Sequence, residues 1–391
     1  MKVLMVISQF SPIIGGAERQ AQLLAQKLIE KGVEVQIVTG WWKWGTPQRE
    51  ISNRVSVFRN FSFWGMSRIK ELRPLAAVTY MATLLTYLLV HKSDYDIIHV
   101  HQALYPAFVS VFVGKQVLGK PVLVKTASSG VTSDIKKLKQ LPLGEFQLRY
   151  LLKNMDCLVA VSKVGGKEFN AIGFPESQIK HVPNGVVLPR DGKTNYRHVK
   201  RVITAARLSK EKGIDILLRA WANVIKQEKG IKLIVLGDGL LAGTLKRLCH
   251  SLGLTESVEF TGMVQNVTEY LRNSDLFILP SRTEGLSNSV LEAMSYGIPC
   301  IATDVGGNGE LLDSGNQKIL PGKYVIGQNG LLINPDDIEG LAKAILYLIR
   351  NSDTRERMGR RSREFVRGNF SIDLVADKYI SLYQHMLEGR L

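Results

Sequence analysis

DLFILPSRTEGLSNSVLEAMSYGIPCIATDVGG, residues 275–307, holds a strand, a loop, a helix and a second strand in close succession. DLFILPS is a short continuous apolar run closed by Pro280, the form of a strand buried on both faces. SRTEGLSNS follows as a polar loop that offers Ser and Asn to cap a helix. The helix carries Leu291, Ala293 and Met294, and CIATDV returns as a strand. A strand, a covering helix and a further strand are the unit of a parallel sheet. Glu284 stands in the loop beside Gly285, and Glu292 lies one to two turns into the helix.

The same alternation runs through the chain. KVLMVIS, AERQAQLLAQKLIEKG and VEVQIVTG open a first series that continues with DIIHVH, PVLVKT, CLVAVS and IKHVP. A second series starts at RVITAARL and passes through IKLIVLGDG and VEFTGMV to DLFILPS and CIATDV. Between them, Pro, Gly and charged residues cluster at 188–199 and read as a linker. The fold class is therefore α/β, with two doubly wound domains facing each other across a cleft, residues 1–188 and 198–371. FSIDLVADKYISLYQHML closes the chain as a helix, with Leu374, Tyr379, Leu382, Tyr383 and Met386 at roughly helical spacing.

Composition fits this reading. Of 391 residues, 45% are hydrophobic and 22% charged, which excludes a disordered or fibrous chain. Cys157, Cys249 and Cys300 show no disulfide or metal-ligand spacing and suit reduced, buried thiols in a reducing cytosol. MKVLMVISQF runs into SPIIGGAE without a small-residue cleavage site, so it reads as a first buried strand. The longest apolar run, Leu75 to Val90, is 16 residues, short of the roughly 20 needed to cross a bilayer, and reads as a buried helix. Residues 1–190 carry 24 Lys and Arg against 12 Asp and Glu, so +12 of the net charge of +16 lies in the first half. That asymmetry points to nucleic acid, an anionic membrane or a phosphorylated ligand. No reading helix or aromatic strand motif supports nucleic acid.

The chemistry gathers where strands end. Ligands of open α/β sheets bind at the carboxyl ends of the strands, and the helix after SRTEGLSNS presents its N-terminus there, a site suited to phosphate. Glu284 and Glu292 could then accept hydrogen bonds from hydroxyls on either side of that phosphate, as in a nucleotide-sugar. Either could equally be a solvated or helix-capping carboxylate. AARLSKEKG places Arg207 and Lys212 after a strand, two cations able to neutralise a diphosphate or simply surface bases. Gly237-Asp238-Gly239 is a turn that permits close backbone approach. In the first half, Gly15 and Gly16 follow the first strand and open a helix without the GxGxxG spacing of a dinucleotide site. His99 and His101 alternate onto one face of their strand, His101 nearer its carboxyl end and so nearer the cleft. Asp94-Tyr95-Asp96 spells DxD but precedes its strand, at the wrong end of the sheet for a ligand.

These pieces together resemble the retaining glycosyltransferases of family 4, which have the two-domain GT-B fold of Rossmann-like units. The resemblance rests on GGAE (15–18), HVH (99–101), VPNGV (182–186), RLSKEKG (207–213), LGDG (236–239), FTGMV (260–264) and PSRTEGLSNSVLEAMSYGIPCIATDVGG (280–307). It implies that the second domain holds the nucleotide-sugar, with Arg207 and Lys212 on the diphosphate. Glu284 would lie on the sugar hydroxyls, Glu292 on the ribose, and backbone around Gly285, Leu286 and Ser287 near the sugar and phosphate. Gly237 and Met263 would join the donor-binding positions. Gly16 would approach the phosphate, and His101 would lie beside donor sugar and acceptor. The helix 372–391 would cross back to complete the first domain. Glu284, His101, Arg207 and Lys212 would be the catalytic set, with retained anomeric configuration and neither metal nor other cofactor. Two departures from the family pattern are Val187, where an Asp usually follows VPNGV, and VLVKTASSG, where many members have a histidine after the strand.

TGWWKWGTPQR, FSFWGMSRIKELR and DIKKLKQLPLGEFQLRYLLKN mix aromatics, leucines and bases, as membrane-interface segments do and as packed loops with a basic face also do. With the basic first half, they suggest a cytoplasmic enzyme, peripheral at the inner face of the cell membrane. It would transfer sugar from a nucleotide-sugar donor, UDP favoured over GDP, to a lipid-linked saccharide of a capsule, O-antigen or exopolysaccharide. The rival enzyme is a sugar-nucleotide epimerase of the same fold, which should carry catalytic carboxylates in the first half. The rival from another class is a non-catalytic sugar-nucleotide-binding protein, which would not need Arg207, Lys212 and both glutamates.

Overall fold

The computed structural model describes every residue except Ile14, 64–72, 131–132, Pro142, Gln265, Ser314, Asn316 and 390–391. The chain divides into two compact units, Met1–Gly185 with Ile372–Leu391, and Val186–Ser371.

The first unit is built on eight strands: β1 (Lys2–Ile7), β2 (Glu34–Gly40), β3 (Arg49–Ser52), β4 (Val55–Asn60), β5 (Ile97–His101), β6 (Val122–Lys125), β7 (Cys157–Ala160) and β8 (Ile179–His181). Their order across the sheet is β3-β4-β2-β1-β5-β6-β7-β8, parallel except for the edge strand β3. Helices α1 (Gly16–Glu30), α2 (Arg73–Val90), α3 (Tyr105–Val111), α4 (Asp134–Lys139), α5 (Gly144–Asn154) and α6 (Lys163–Ala171) cover it. The central strands are buried along their length, apart from Lys2 at the start of β1, because helices lie on both faces. The second unit uses β9 (Arg201–Ala205), β10 (Lys232–Leu236), β11 (Val258–Gly262), β12 (Leu276–Leu279), β13 (Cys300–Thr303), β14 (Tyr324–Ile326) and β15 (Gly330–Ile333) in the order β11-β10-β9-β12-β13-β15-β14. Its helices are α7 (Ile214–Ile225), α8 (Ala242–Ser251), α9 (Val267–Arg272), α10 (Asn288–Ser295), α11 (Asn308–Leu312), α12 (Ile338–Arg350) and α13 (Ser352–Asn369). The last helix, α14 (Ile372–Leu387), returns to the first unit and packs beside α1, where Lys27 and Lys31 pair with Asp373 and Asp377.

In each sheet the winding reverses once, between β1 and β5 in the first unit and between β9 and β12 in the second. At such a reversal, successive connections leave towards opposite faces and open a crevice at the strands' carboxyl ends. Two such crevices fix where ligand chemistry can sit.

Several sequence expectations are revised here. The run from Leu75 to Val90 is not a wholly buried helix: Ala76, Tyr80, Leu84, Tyr87 and Leu88 face the core, while Leu75, Val78, Leu89 and Val90 are exposed. Among the described residues, no helix is long and apolar enough to cross a membrane. Leu374 is exposed on α14, while its four partners in the pattern are buried. The stretch 188–199 is fastened to the second unit rather than left as a free linker. Lys193 donates its amide to the Tyr296 carbonyl at 2.7 Å and pairs with Asp275 at 2.8 Å. The Tyr196 hydroxyl donates to the Gly297 carbonyl at 2.9 Å. Buried Arg355 fixes the same stretch by donating to the Tyr196 and Arg197 carbonyls.

Backbone packing is close beside the second crevice. Gly213 has φ +64°, and a Cβ there would lie 2.0 Å from the Pro280 carbonyl oxygen. Gly213→Ala should therefore cost about 2–4 kcal/mol of unfolding free energy. Gly230→Ala, also at positive φ but with open space around it, should cost about 1 kcal/mol. Urea unfolding of both variants checks this, and equal losses would contradict it.

Candidate active site

The second unit's crevice is lined by two loops. The loop after β9 runs through Arg207 and a single 3-10 turn, Lys210–Lys212, into α7. The loop after β12 runs from Pro280 to Ser287, where α10 begins. Lys212 and Glu284 join them, with Nζ 2.6 Å from Oε1. The Ser281 hydroxyl donates to the same Oε1 at 2.7 Å. The Glu284 side chain is 10% exposed and that of Lys212 25%, so the pair is shielded yet reachable.

Behind the pair, Arg282 locks the loops in register. Its Nη1 and Nη2 grip the Asp215 carboxylate at 3.0 and 2.8 Å, and Nε meets Asp336 at 2.6 Å. It also donates to the Lys210 carbonyl, and its own amide donates to the Glu211 carbonyl at 2.7 Å. Burial pushes the Asp215 carboxyl up, but Arg282 outweighs it and holds the group below the usual carboxylate range. A two-pronged guanidinium fixes orientation as well as distance. Thr303 of β13 completes the clamp by donating to the Ser281 carbonyl.

At the start of α10, Ser287 occupies the cap position but makes no side-chain cap bond. Its Oγ is buried, with the residue 2% exposed, and has no partner among the described residues. The capping expected from the sequence is thus not made. A helix N-terminus with a partnerless hydroxyl is a receptor for anionic oxygens. Glu292 is half-buried on α10, with Leu291, Ala293 and Met294 buried around it. The Gly285 carbonyl accepts from the Gly307 amide at 2.6 Å, and Leu286 is buried. Arg207 is exposed, and no described hydrogen bond engages its guanidinium. Gly237 approaches the chain itself, its Cβ position lying 2.0 Å from the Ala206 carbonyl, and Met263 is exposed.

In the first unit, Gly15 caps α1 in extended backbone and Gly16 is its first residue, beyond the carboxyl end of β1. His99 and His101 on β5 are stacked, with ring centroids 4.3 Å apart and planes at 15°. Both are fully buried. Burial pushes both imidazoles well below the ordinary histidine range, and the Lys125 charge adds to it. His101 is therefore a neutral imidazole at pH 7, able to accept or donate a hydrogen bond. Lys125, opposite His101 in the β5–β6 register, is 5% exposed and has no carboxylate partner among the described residues. Burial lowers its ammonium from 10.5 to about 7.

The sequence reading missed Ser281, Arg282, Lys125 and the contact of α14 with His99. Only Lys125 left a signal, as the lysine in VLVKTASSG. Two other expectations change. Trp41 and Trp42 are half-buried and donate to the Thr46 and Ser8 carbonyls, leaving Trp44 as the exposed ring of the three. Most of FSFWGMSRIKELR lies outside the described residues. Asp96 of the DxD triplet accepts from the Lys2 amide at 2.7 Å, a structural duty at the amino end of the sheet.

Comparison with known proteins agrees with this geometry. The family model for glycosyl transferases group 1 matches residues 190–365, and that for glycosyltransferase family 4 matches residues 14–190. The N-acetyl-alpha-D-glucosaminyl L-malate synthase of Bacillus anthracis is 27% identical over 96% of this chain and 95% of its own. The alpha-monoglucosyldiacylglycerol synthase of Streptococcus pneumoniae is 26% identical over 83% of this chain and 75% of its own. The crystal structure of Anabaena HepE in complex with UDP matches with a TM-score of 0.75 at 18% identity, covering 98% of this chain and all of that one. Two Rossmann-like units of this kind define a GT-B glycosyltransferase. The chain belongs to family 4 of these enzymes, the group 1 glycosyl transferases.

Lys125 makes a stability prediction of its own. Between about pH 7 and pH 10.5 the unfolded chain holds this proton and the folded one does not, so stability rises with pH across that window. Lys125→Met should raise the unfolding free energy by on the order of 3–5 kcal/mol at pH 7, and the gain should shrink towards pH 10.5. Denaturant unfolding at pH 7 and pH 10 checks this, and a gain that does not change with pH would contradict it.

Proposed function

We propose that this glycosyltransferase is a retaining, metal-independent enzyme. It moves a sugar from a nucleotide diphosphate sugar, UDP favoured over GDP, to a lipid-linked saccharide in surface polysaccharide synthesis. The observation that carries the reading is the Lys212–Glu284 pair at 2.6 Å, set beside the α10 N-terminus. One charge suits a phosphate and the other suits sugar hydroxyls, and the two loops hold them a hydrogen bond apart.

Negative charge grows on the diphosphate as the bond from the sugar's anomeric carbon to the β-phosphate oxygen breaks. Arg207, Lys212, the Ser287 hydroxyl and the α10 N-terminus would receive it. Lys212 keeps its protein partner Glu284 until the donor arrives, so the ammonium is positioned in advance. Glu284 would accept hydrogen bonds from the sugar hydroxyls, Gly285 and Leu286 would flank them, and Glu292 would take the ribose. Gly237 and Met263 would border the nucleotide. From the first unit, Gly16 would serve the phosphate, and His101 would hydrogen-bond sugar or acceptor as a neutral imidazole. The acceptor oxygen then bonds to the anomeric carbon on the face the diphosphate leaves, and the acceptor's proton passes to the leaving phosphate oxygen. The charge supplied by these groups is what makes a metal unnecessary in this scheme.

The donor choice is supported by the UDP bound in the HepE structure, and the acceptor class by the glycolipid product named for the pneumococcal relative. Membrane attachment is supported by exposed Trp44, Leu143 and Phe146, the last two among the bases Lys136, Lys137, Lys139, Arg149 and Lys153. The malate named for the Bacillus relative keeps a small anionic acceptor as the second reading.

A panel of UDP-, GDP- and ADP-sugars, with and without lipid-linked acceptor, tests the proposal by nucleoside diphosphate release. UDP release that depends on acceptor, and falls about 100-fold or more in Glu284→Ala and Arg207→Ala, is expected. Binding without acceptor-dependent release would favour the non-catalytic alternative. Separately, the protein should sediment with anionic liposomes at low salt and be released as salt rises. Protein that stays in solution at low salt would sink the membrane part alone.

A further inference from the structure

The C-terminal helix reaches the imidazole pair on β5. The Tyr383 hydroxyl lies 2.6 Å from His99 Nδ1. The Tyr379 ring stacks on His99 at 5.1 Å and 27°, and His99 stacks in turn on His101 at 4.3 Å and 15°. The result is a column of three rings, Tyr379, His99 and His101, with Tyr383 bonded at its middle. All four side chains are buried. Lys125 adds a charge beside the column, its Nζ 5.7 Å from the Tyr379 ring centre.

We propose that Tyr383 and Tyr379 are positioning residues for the reaction, fixing the ring plane of His101 by way of His99. His101 cannot turn about its ring axis without losing the stack on His99. His99 is held on its free edge by one hydroxyl and on its far face by one aromatic ring. The Nε2 atoms of both histidines have no partner among the described residues, so the phenol at His99 Nδ1 is the described hydrogen bond that anchors a ring nitrogen in this column. Fixing a ring at its far nitrogen is how buried histidines are oriented for work at the near one. The C-terminal helix thereby serves chemistry as well as closing the first unit's core. This inference rests on the reading of His101 as a substrate-facing group, and the test separates the two.

Protein carrying 15N-labelled histidine gives the readout, with His99→Gln and His101→Gln assigning the two sets of ring nitrogens. Tyr383→Phe should shift the ring nitrogens of both His99 and His101. It should also lower kcat about tenfold with KM for the donor unchanged within about twofold, measured with the nucleotide-sugar of fastest diphosphate release. A His101 spectrum identical to wild type, or a shifted one with kcat intact, overturns the positioning role. Should Tyr383→Phe fail to fold, Tyr379→Leu reads the same coupling from the other ring. His101→Ala run alongside decides the parent reading. A kcat that survives it overturns that reading and the positioning role with it. A kcat lost there but kept in Tyr383→Phe overturns the positioning role alone.

Discussion

Lys212 and Glu284 set a cation and a carboxylate side by side where two loops of the second unit meet. Each loop leaves a neighbouring strand at the point where the sheet's winding reverses. A partly shielded ion pair of this kind adds little net stability, since desolvation offsets much of its attraction. Its value lies in geometry. Arg282, Ser281 and the close approach of Gly213 to Pro280 fix the backbone on which the pair stands. In the proposed scheme, a diphosphate and a sugar would then meet a cation and a carboxylate whose positions are already set.

The first unit uses burial where the second uses pairing. His101 and Lys125 end β5 and β6, with His99 two residues before His101, and no carboxylate among the described residues pairs with them. Low dielectric keeps the imidazoles neutral and weakens the ammonium, so this crevice offers hydrogen bonds more than charge. The second unit's crevice is thus the charged one and the first unit's the nearly neutral one.

Much of this was legible in the sequence because it depends on local pattern. The alternation from KVLMVIS to CIATDV gives the strands and helices, and the carboxyl-end rule then places Glu284, Lys212 and His101 at the right ends of their sheets. What escaped depends on contacts between distant segments. Nothing in SRTEGL says that Arg282 will find Asp215 and Asp336, or that Ser281 will serve Glu284. Lys125 showed in the sequence only as the lysine of VLVKTASSG, and the register is what sets it against His101. Ser287 looked like an ordinary cap, and its hydroxyl proved to be unspent. Residues 188–199 had the composition of a linker, yet Lys193 and Tyr196 find partners that composition cannot reveal.

A double-mutant cycle on Lys212 and Glu284, read by calorimetric titration with UDP, tests the central claim most directly. Lys212→Met and Glu284→Gln each alter one side of the pair, and the double variant alters both. If the pair sets the phosphate-binding cation in advance, the single effects on Kd will differ from additivity by about 1–3 kcal/mol. Effects that add within about 0.5 kcal/mol, or UDP binding indifferent to Lys212, would show that the donor is held elsewhere.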